Sequence, residues 1–268
     1  MNLLMIGCGA MGQAMLVRWL DTSWLQHVTI IKPSPLPVHL ASHARIAYHA
    51  NVAQCTLAHY DTLIWAVKPQ MMAHAFDAVQ SVGDVRAHLH ISIAAALPLA
   101  WYEERLGINT RIVRAMPNTP VSLGLGVTGL TANAALTDKD RLMVEEMIQS
   151  LGSAYWLHTE SEMNLFTAIA GCGPAYVYAW MDAWCMAAAH YGMPYEDARH
   201  IIRHTMRGAM ALSDHHIDVP LATLTARVTS KGGMTEAALQ QLNKNHQWRE
   251  GFIAAFNEAM ERAQALSS

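Results

Sequence analysis

The chain has 268 residues, and 52% of them are hydrophobic, so it can bury a sizeable core in one large domain or two modest ones. Its formal net charge of -3 provides neither the basic field that binds nucleic acid nor an acidic tail. No uncharged apolar run approaches the roughly 20 residues that span a bilayer. The four cysteines form no C-x-x-C pair, which indicates reduced thiols. We therefore expect a cytoplasmic protein without nucleic-acid or membrane partners.

The first half of the chain alternates short β-type runs with helix-length segments. The predicted strands are residues 3–6, 28–31, 62–67, 89–93 and 111–115, and the clearest helices between them are residues 11–20 and 71–79. Several strand runs are continuously apolar, as expected for a parallel sheet that is covered on both faces. This alternation predicts an α/β fold with a Rossmann-like, doubly wound, mostly parallel sheet.

The pattern changes to mostly helix after residue 137. Thr137 and Asp140 have capping-box spacing at the start of a helix that runs to residue 151, and residues 154–157 suit one last strand. Further helices are predicted at residues 175–191, 195–213 and 247–266. We place the boundary near residue 158, which predicts a dinucleotide-binding domain at 1–158 and an all-α domain at 159–268.

The first long helix of the second half is apolar on every side. Tyr176, Trp180, Trp184 and Tyr191 repeat there at helical spacing, and very few charges accompany them. Burial in the core of the domain explains such a stripe. However, a helix that is apolar all round in a small domain usually packs against another copy. We therefore expect a homodimer through the all-α domain.

Residues 7–12 read Gly-Cys-Gly-Ala-Met-Gly and match the G-x-G-x-x-G pattern. The first glycine permits a tight turn, the second lets the backbone approach a pyrophosphate, and the third, Gly12, permits close packing of helix and strand. The N-terminus of the following helix supplies free N–H groups to phosphates. A glycine-rich turn without a ligand is the alternative, but the strand–turn–helix context favours a dinucleotide site.

The end of the second strand bears on the choice of cofactor. It reads Ile30-Ile31-Lys32-Pro33-Ser34, without the carboxylate that would bond the ribose of NAD. Lys32 and Ser34 could instead receive a 2′-phosphate, which favours NADPH over NADH. A solvated loop lysine explains Lys32 taken alone equally well.

The segment 229–235, Thr-Ser-Lys-Gly-Gly-Met-Thr, precedes a short helical run at 236–242. Two glycines before a helix can expose several N–H groups, and the hydroxyls of Ser230 and Thr235 would complete a cradle for a carboxylate. The alternative is that Thr235 is an N-cap residue behind a glycine linker. A second pattern, His200 and His204 at i and i+4, is expected by chance among 15 histidines, and we predict no metal site.

Together these motifs resemble one family, the pyrroline-5-carboxylate reductases, over essentially the full chain. The resemblance lies in the G-x-G loop, A-V-K-P-Q at 66–70, M-P-N-T-P at 116–120, G-P-A-Y at 173–176 and T-S-x-G-G-x-T at 229–235. It implies NADPH-dependent reduction of the C=N bond of 1-pyrroline-5-carboxylate to L-proline, the last step of proline biosynthesis. It also implies a helical dimerisation domain, a dimer that often assembles further, and a substrate site at the dimer interface.

The resemblance also implies roles for individual residues. With Gly12 and Lys32 from the patterns above, the expected cofactor contacts are Ile6, Gly7, Gly9, Ala10, Met11, Ser34, Asn51, Ala66, Val67, Lys68, Pro69, Ala94 and Ala95. The expected substrate contacts are Glu160, Ser230, Gly233, Met234 and Thr235. Thr235, or a water that it holds, is the expected catalytic group at the imine nitrogen.

The chain departs from the family pattern at several positions. Lys32 and Pro33 stand where the family commonly has Asn and Arg, and Ala170 and Cys172 replace two serines. Lys231 stands where the family usually has proline, and Met234 stands where it usually has threonine or a small residue. We expect these changes to leave the backbone conformation as in the family and to affect the kinetics of the reaction and the range of substrates.

Two other functions compete with the reductase. A β-hydroxyacid dehydrogenase would need a catalytic lysine early in the helical domain, and no lysine lies between Lys139 and Lys231. The second alternative is an NADPH-binding regulatory protein of the same fold without turnover, which would bind the cofactor tightly and reduce nothing.

Overall fold

The computed structural model describes residues 1–267. By their internal contacts these residues form two compact units. The first unit comprises residues 1–174 together with the end of the C-terminal helix from Ala259, and the second comprises residues 175–258.

The first unit is built on an eight-stranded sheet with the order β3-β2-β1-β4-β5-β6-β7-β8. The strands are β1 Asn2–Ile6, β2 His27–Ile31, β3 Ile46–His49, β4 Thr62–Trp65, β5 Leu89–Ser92, β6 Arg111–Met116, β7 Gly126–Ala132 and β8 Gly152–Trp156. Neighbouring strands are parallel except β6 and β7, which are antiparallel. The predicted doubly wound, mostly parallel sheet is confirmed. Its strand order reverses between β1 and β4, where folds of this type bind ligands.

Helices cover both faces of the sheet because the central strands are apolar on both faces. On one face, Trp19 of α1 (Ala10–Trp19) and Met147 of α5 (Asp138–Gln149) enter the core. On the other face, Phe76 of α3 (Met72–Gln80) and Tyr102 of α4 (Leu99–Leu106) do so. The short helix α2 spans Val38–Ala41. These two buried layers leave the carboxyl ends of the strands free for a ligand.

The capping box predicted for α5 is present. Thr137 Oγ1 accepts a hydrogen bond from Asp140 N at 3.1 Å, and Asp140 Oδ2 accepts one from Thr137 N at 3.2 Å. Beyond α5, helix α6 (Glu162–Phe166) runs into a π-helical turn at Thr167–Gly171, in which Cys172 N donates to Thr167 O at 2.9 Å. Such turns are rare and often lie at functional sites.

The second unit is entirely helical. Its helices are α7 Gly173–His190, which begins in the first unit, α8 Tyr195–His215, α9 Leu221–Arg227, α10 Met234–Leu242 and α11 Gln247–Ser267. Its buried cluster is small and centres on Cys185, Ala198 and Ile202. Many large apolar side chains of α7 and α8 are exposed instead. Among the helices of residues 1–267, none combines the length and apolar character needed to cross a membrane.

A buried histidine makes the stability of the first unit depend on pH. Trp65 Nε1 donates to His90 Nδ1 at 3.0 Å, so the proton of the neutral imidazole lies on Nε2, which is 2.9 Å from Val85 O. Burial lowers the pKa of His90 from 6.5 to about 4. Because the unfolded chain takes up this proton first, stability should be retained above about pH 6.5 and lost as the pH falls towards 4, by on the order of 3 kcal/mol.

Urea denaturation at several pH values between 7 and 4 measures this loss of stability. The matched variant His90→Leu cannot titrate, so its free energy of unfolding should fall less steeply over the same range. If the free energies of unfolding of the two proteins fell in parallel as the pH decreased, His90 would not be the cause of the loss of stability in acid.

Candidate active site

A cavity of about 540 Å³ opens at the carboxyl ends of β1, β2 and β4, where the strand order reverses. This volume lies in the range of small-molecule and cofactor sites. The predicted cofactor residues that line it are Ile6, Gly7, Gly9, Lys32, Ser34, Asn51, Ala66, Val67 and Lys68. The strand ends and the first βα turn therefore bring together residues that are far apart in the sequence.

The other predicted cofactor residues do not line this cavity; they are Ala10, Met11, Gly12, Pro69, Ala94 and Ala95. Ala10 begins α1, and Gly12 faces Ala66 and Met5 closely enough that a Cβ would touch both, at 3.5 and 3.6 Å. That contact is the helix–strand packing expected of the third glycine. Ala94 and Ala95 follow β5, at the same edge of the sheet. Their contact with a cofactor stays a prediction.

The glycine turn between β1 and α1 has two different constraints. Gly7 has φ +82°, and a Cβ there would lie 2.6 Å from Val67 Cγ1 and 2.7 Å from Ala66 O. Gly9 is the N-cap of α1 in an extended conformation, and no atom lies within 4 Å of the Cβ position. The first glycine is therefore required by the protein itself, whereas the second leaves an open space beside the helix N-terminus, where a phosphate could bind.

The charge in the cavity suits an anionic ligand. Lys32, Lys68 and His74 line it, and no carboxylate is among its described lining residues. Lys32 Nζ donates to Pro35 O at 3.2 Å and is exposed. Burial raises the pKa of the Cys8 thiol to about 11, so this residue is a neutral packing group. Two lysines without a lining carboxylate suit an anionic cofactor.

Glu160 lies outside that cavity, in the segment after β8. Its Oε1 accepts a hydrogen bond from Leu99 N at 2.7 Å and forms an ion pair with Nη1 of Arg114 on β6. Arg114 was missed in the sequence analysis, although a charged residue inside the apolar run 112–115 was a signal for it. A buried charge in a strand is expected to have a partner.

Asn118, in the M-P-N-T-P segment, joins two other parts of the first unit. Its Nδ2 donates to Ala170 O at 3.0 Å, within the π-helical turn, and its Oδ1 accepts from Val127 N at 2.9 Å. Asn118 therefore links the π-helical turn to β7. The M-P-N-T-P segment is one of the family motifs in the sequence, but no role was predicted for Asn118 itself.

The predicted substrate loop lies in the second unit, at the start of α10. Gly232 has φ +71°, and Gly233, not Thr235, is the N-cap residue, with no side-chain cap. The alternative reading of Thr235 as a simple N-cap is therefore wrong. Ser230, Gly233, Met234 and Thr235 lie together in this turn, and the first N–H groups of α10 have no intrahelical partner. Such a turn can bind a carboxylate.

The two histidines considered as metal ligands, His200 and His204, do share a helix face, with ring centroids 4.5 Å apart. Within residues 1–267, no group of three or more His, Cys, Asp or Glu side chains is arranged to hold a metal ion.

Comparison with known proteins gives the family. Residues 160–266 match the family model described as pyrroline-5-carboxylate reductase dimerisation, and residues 2–96 match the one described as NADP oxidoreductase, coenzyme F420-dependent. A pyrroline-5-carboxylate reductase of Vibrio alginolyticus is 33% identical over 265 residues, which cover 97% of this chain and 96% of that protein. The chain belongs to the pyrroline-5-carboxylate reductase family. The corresponding protein of Pseudomonas aeruginosa is 36% identical over 210 residues, covering 78% of this chain and 74% of the relative.

Solved structures of pyrroline-5-carboxylate reductases agree with this assignment. The enzyme from Coxiella burnetii has a TM-score of 0.89 at 29% identity, and the Plasmodium falciparum protein, solved with NADP bound, has 0.86 at 26%. Both comparisons cover 100% of this chain and 98% of the other. The predicted family, fold class and function are confirmed by these relatives and structures. The family comprises NAD(P)H-dependent oxidoreductases that reduce an imine bond.

Proposed function

We propose that this protein transfers hydride from NADPH to the imine carbon, C2, of protonated 1-pyrroline-5-carboxylate, so that this carbon becomes C5 of L-proline and NADP⁺ remains. The observation that carries the proposal is the cationic cavity at the glycine turn, in a chain whose relatives of the same length are pyrroline-5-carboxylate reductases. A cationic imine is already electrophilic, so the reaction requires mainly that two rings be aligned.

The cofactor would lie in the cavity of the first unit. Gly7, Gly9 and the start of α1 would hold the pyrophosphate, and Lys32 with Ser34 would hold the 2′-phosphate of NADPH. The absence of a carboxylate among the described lining residues supports NADPH over NADH, and so does the NADP in the Plasmodium falciparum relative. The nicotinamide, when bound, supplies the hydride.

The substrate would be held by two groups of residues. The turn that contains Ser230, Gly233, Met234 and Thr235 would bind the substrate carboxylate through N–H groups and hydroxyls. Thr235 Oγ1, or a water that it holds, would bond the imine nitrogen. Glu160 would lie beside the cationic ring. These assignments follow from the family motifs, and the free N–H groups of α10 support the first of them.

We further propose that residues 1–158 and 159–268 are the functional domains, and that the second forms a homodimer able to assemble further. The dimerisation model that begins at residue 160 and the exposed apolar side chains of α7 support this division and this assembly. A cytoplasmic location is proposed from the four cysteines, which are all free thiols.

The deciding experiment is NADPH oxidation, followed as loss of absorbance, with purified protein and 1-pyrroline-5-carboxylate. We expect oxidation that depends on the substrate and is faster with NADPH than with NADH. Omission of the imine is the control for slow background oxidation. Tight NADPH binding, measured by nucleotide fluorescence, without substrate-dependent oxidation would instead support the regulatory protein without turnover.

A further inference from the structure

We infer that Arg114 is a positioning residue for the reaction. It holds the carboxylate of Glu160 in one orientation, and it is the strand neighbour of Ser92, whose hydrogen bonds hold the loop after β5. Arg114, Glu160, Ser92 and Tyr102 are together named the cluster. The inference deepens the proposed function, because it takes Glu160 to lie at the substrate and Ala94 at the cofactor.

The first part of the cluster fixes Glu160. Arg114 is 5% exposed in the middle of the sheet, and its Nη1 pairs with Glu160 Oε1. The same oxygen accepts the N–H of Leu99, the first residue of α4, at 2.7 Å. Two donors therefore hold Oε1, while Oε2 accepts no hydrogen bond from residues 1–267. That oxygen is free to face a cationic substrate.

The second part of the cluster reaches the loop after β5. Ser92 is the register partner of Arg114 on the neighbouring strand. Ser92 Oγ lies 2.6 Å from the hydroxyl of Tyr102 and accepts from Ala94 N at 3.2 Å. Tyr102 lies on α4, the helix whose first N–H binds Glu160. Helix α4 and the adjacent strands β5 and β6 therefore connect Glu160, which is proposed to contact the substrate, to the loop after β5, which is proposed to contact the cofactor.

The burial of the pair makes the arrangement rigid. Arg114 Nε is buried and has no hydrogen-bond partner within the described chain, so Glu160 is the one carboxylate that balances this guanidinium. A buried charge cannot exchange its partner for water as an exposed one does, and the planar guanidinium fixes the direction of its N–H groups. Without Arg114, the half-buried Glu160 side chain could rotate into solvent.

Arg114→Lys tests the inference, because it keeps the charge and removes the planar geometry. We expect kcat to fall roughly 10- to 100-fold, as a misplaced active-site group can cause, while the Kd for NADPH stays within about 2-fold. The matched control is Arg111→Lys on the same strand, whose guanidinium pairs with Asp140 at 2.9 Å, away from the cluster. Its kcat should remain within about 2-fold of the original protein.

A double-mutant cycle separates positioning from a general loss of structure. If Arg114 acts through Glu160, Arg114→Lys combined with Glu160→Gln should be no slower than the slower single variant. Losses that multiply would overturn the inference.

Tyr102→Phe is a second test, which does not depend on whether the Arg114→Lys variant folds. It keeps the aromatic ring and removes no charge, so we expect this variant to fold. Its kcat should fall roughly 3- to 10-fold, and an unchanged kcat would overturn the link to the cofactor loop.

These outcomes are distinct from failure of the proposed function. If the wild-type protein oxidised no NADPH with 1-pyrroline-5-carboxylate, the proposed function itself would be contradicted. An active original protein whose Arg114→Lys variant turns over equally fast would contradict the positioning role alone.

Discussion

Gly7→Ala should unfold or strongly destabilise the first unit and abolish NADPH binding. A Cβ at this position would lie 2.6 Å from Val67 Cγ1 and 2.7 Å from Ala66 O, and the residue has φ +82°. The carbonyl belongs to backbone that lines the cavity, so it cannot move away without displacing the end of β4. Backbone strain and overpacking together should cost about 3 kcal/mol or more in the free energy of unfolding.

Gly9→Ala is the matched control in the same turn. Its φ is -76°, and no atom lies within 4 Å of the Cβ position, so the free energy of unfolding should change by no more than about 1 kcal/mol. The added methyl group would nevertheless occupy the space where the pyrophosphate is proposed to approach, and the affinity for NADPH should fall at least about 10-fold.

Urea denaturation and fluorescence titration with NADPH measure both variants. A Gly7→Ala protein as stable as the original would contradict the steric argument. A Gly9→Ala protein that binds NADPH as tightly as the original would place the pyrophosphate elsewhere.

The second large effect is expected from Met186→Arg on α7. Met186 is 61% exposed on an apolar helix, in a unit whose own buried cluster is small. If the helical domain forms the dimer, the new guanidinium would be buried without a partner, at a cost of about 3–5 kcal/mol per site. We therefore expect the variant to be a monomer at micromolar concentration and to lose most of its activity, because the family resemblance implies a substrate site at the dimer interface.

Sedimentation velocity of the original protein and of the variant measures this change. Ile108→Arg is the control, since Ile108 is 72% exposed in a loop of the first unit and lies outside the proposed interface. An original protein that is a monomer at micromolar concentration would exclude the dimer, and a Met186→Arg variant that stays dimeric would place the interface on another surface.

Strands β3 and β7 were not predicted, and the reasons differ. Strand β3 is a short edge strand with half-exposed residues, so it lacks the continuous apolar run that marked the central strands. Strand β7 contains Gly126 and Gly129, which are poor strand formers. A Cβ at Gly129 would lie 2.6 Å from Phe166 Cδ1, so this glycine is explained by a ring that packs there from α6. The predicted strand at 62–67 ends at Trp65, and Ala66 and Val67 line the cavity.

Features that depend on neighbouring residues could be predicted from the amino-acid sequence alone. The spacing of glycines specified the turn between β1 and α1, apolar runs specified the central strands, and Thr137 with Asp140 specified the start of α5. Each of these signals acts within one or two helical turns, or along one strand, so it can be read locally.

Contacts between residues that are distant in the sequence could not be predicted in this way. Arg114 and Glu160 are separated by 46 positions and come together because β6 and β8 lie in one sheet with β7 between them. The cavity likewise combines residues that follow β1, β2 and β4, which other elements separate along the chain. Neither pairing has a local signal, since strand order is set by the burial of both sheet faces as a whole.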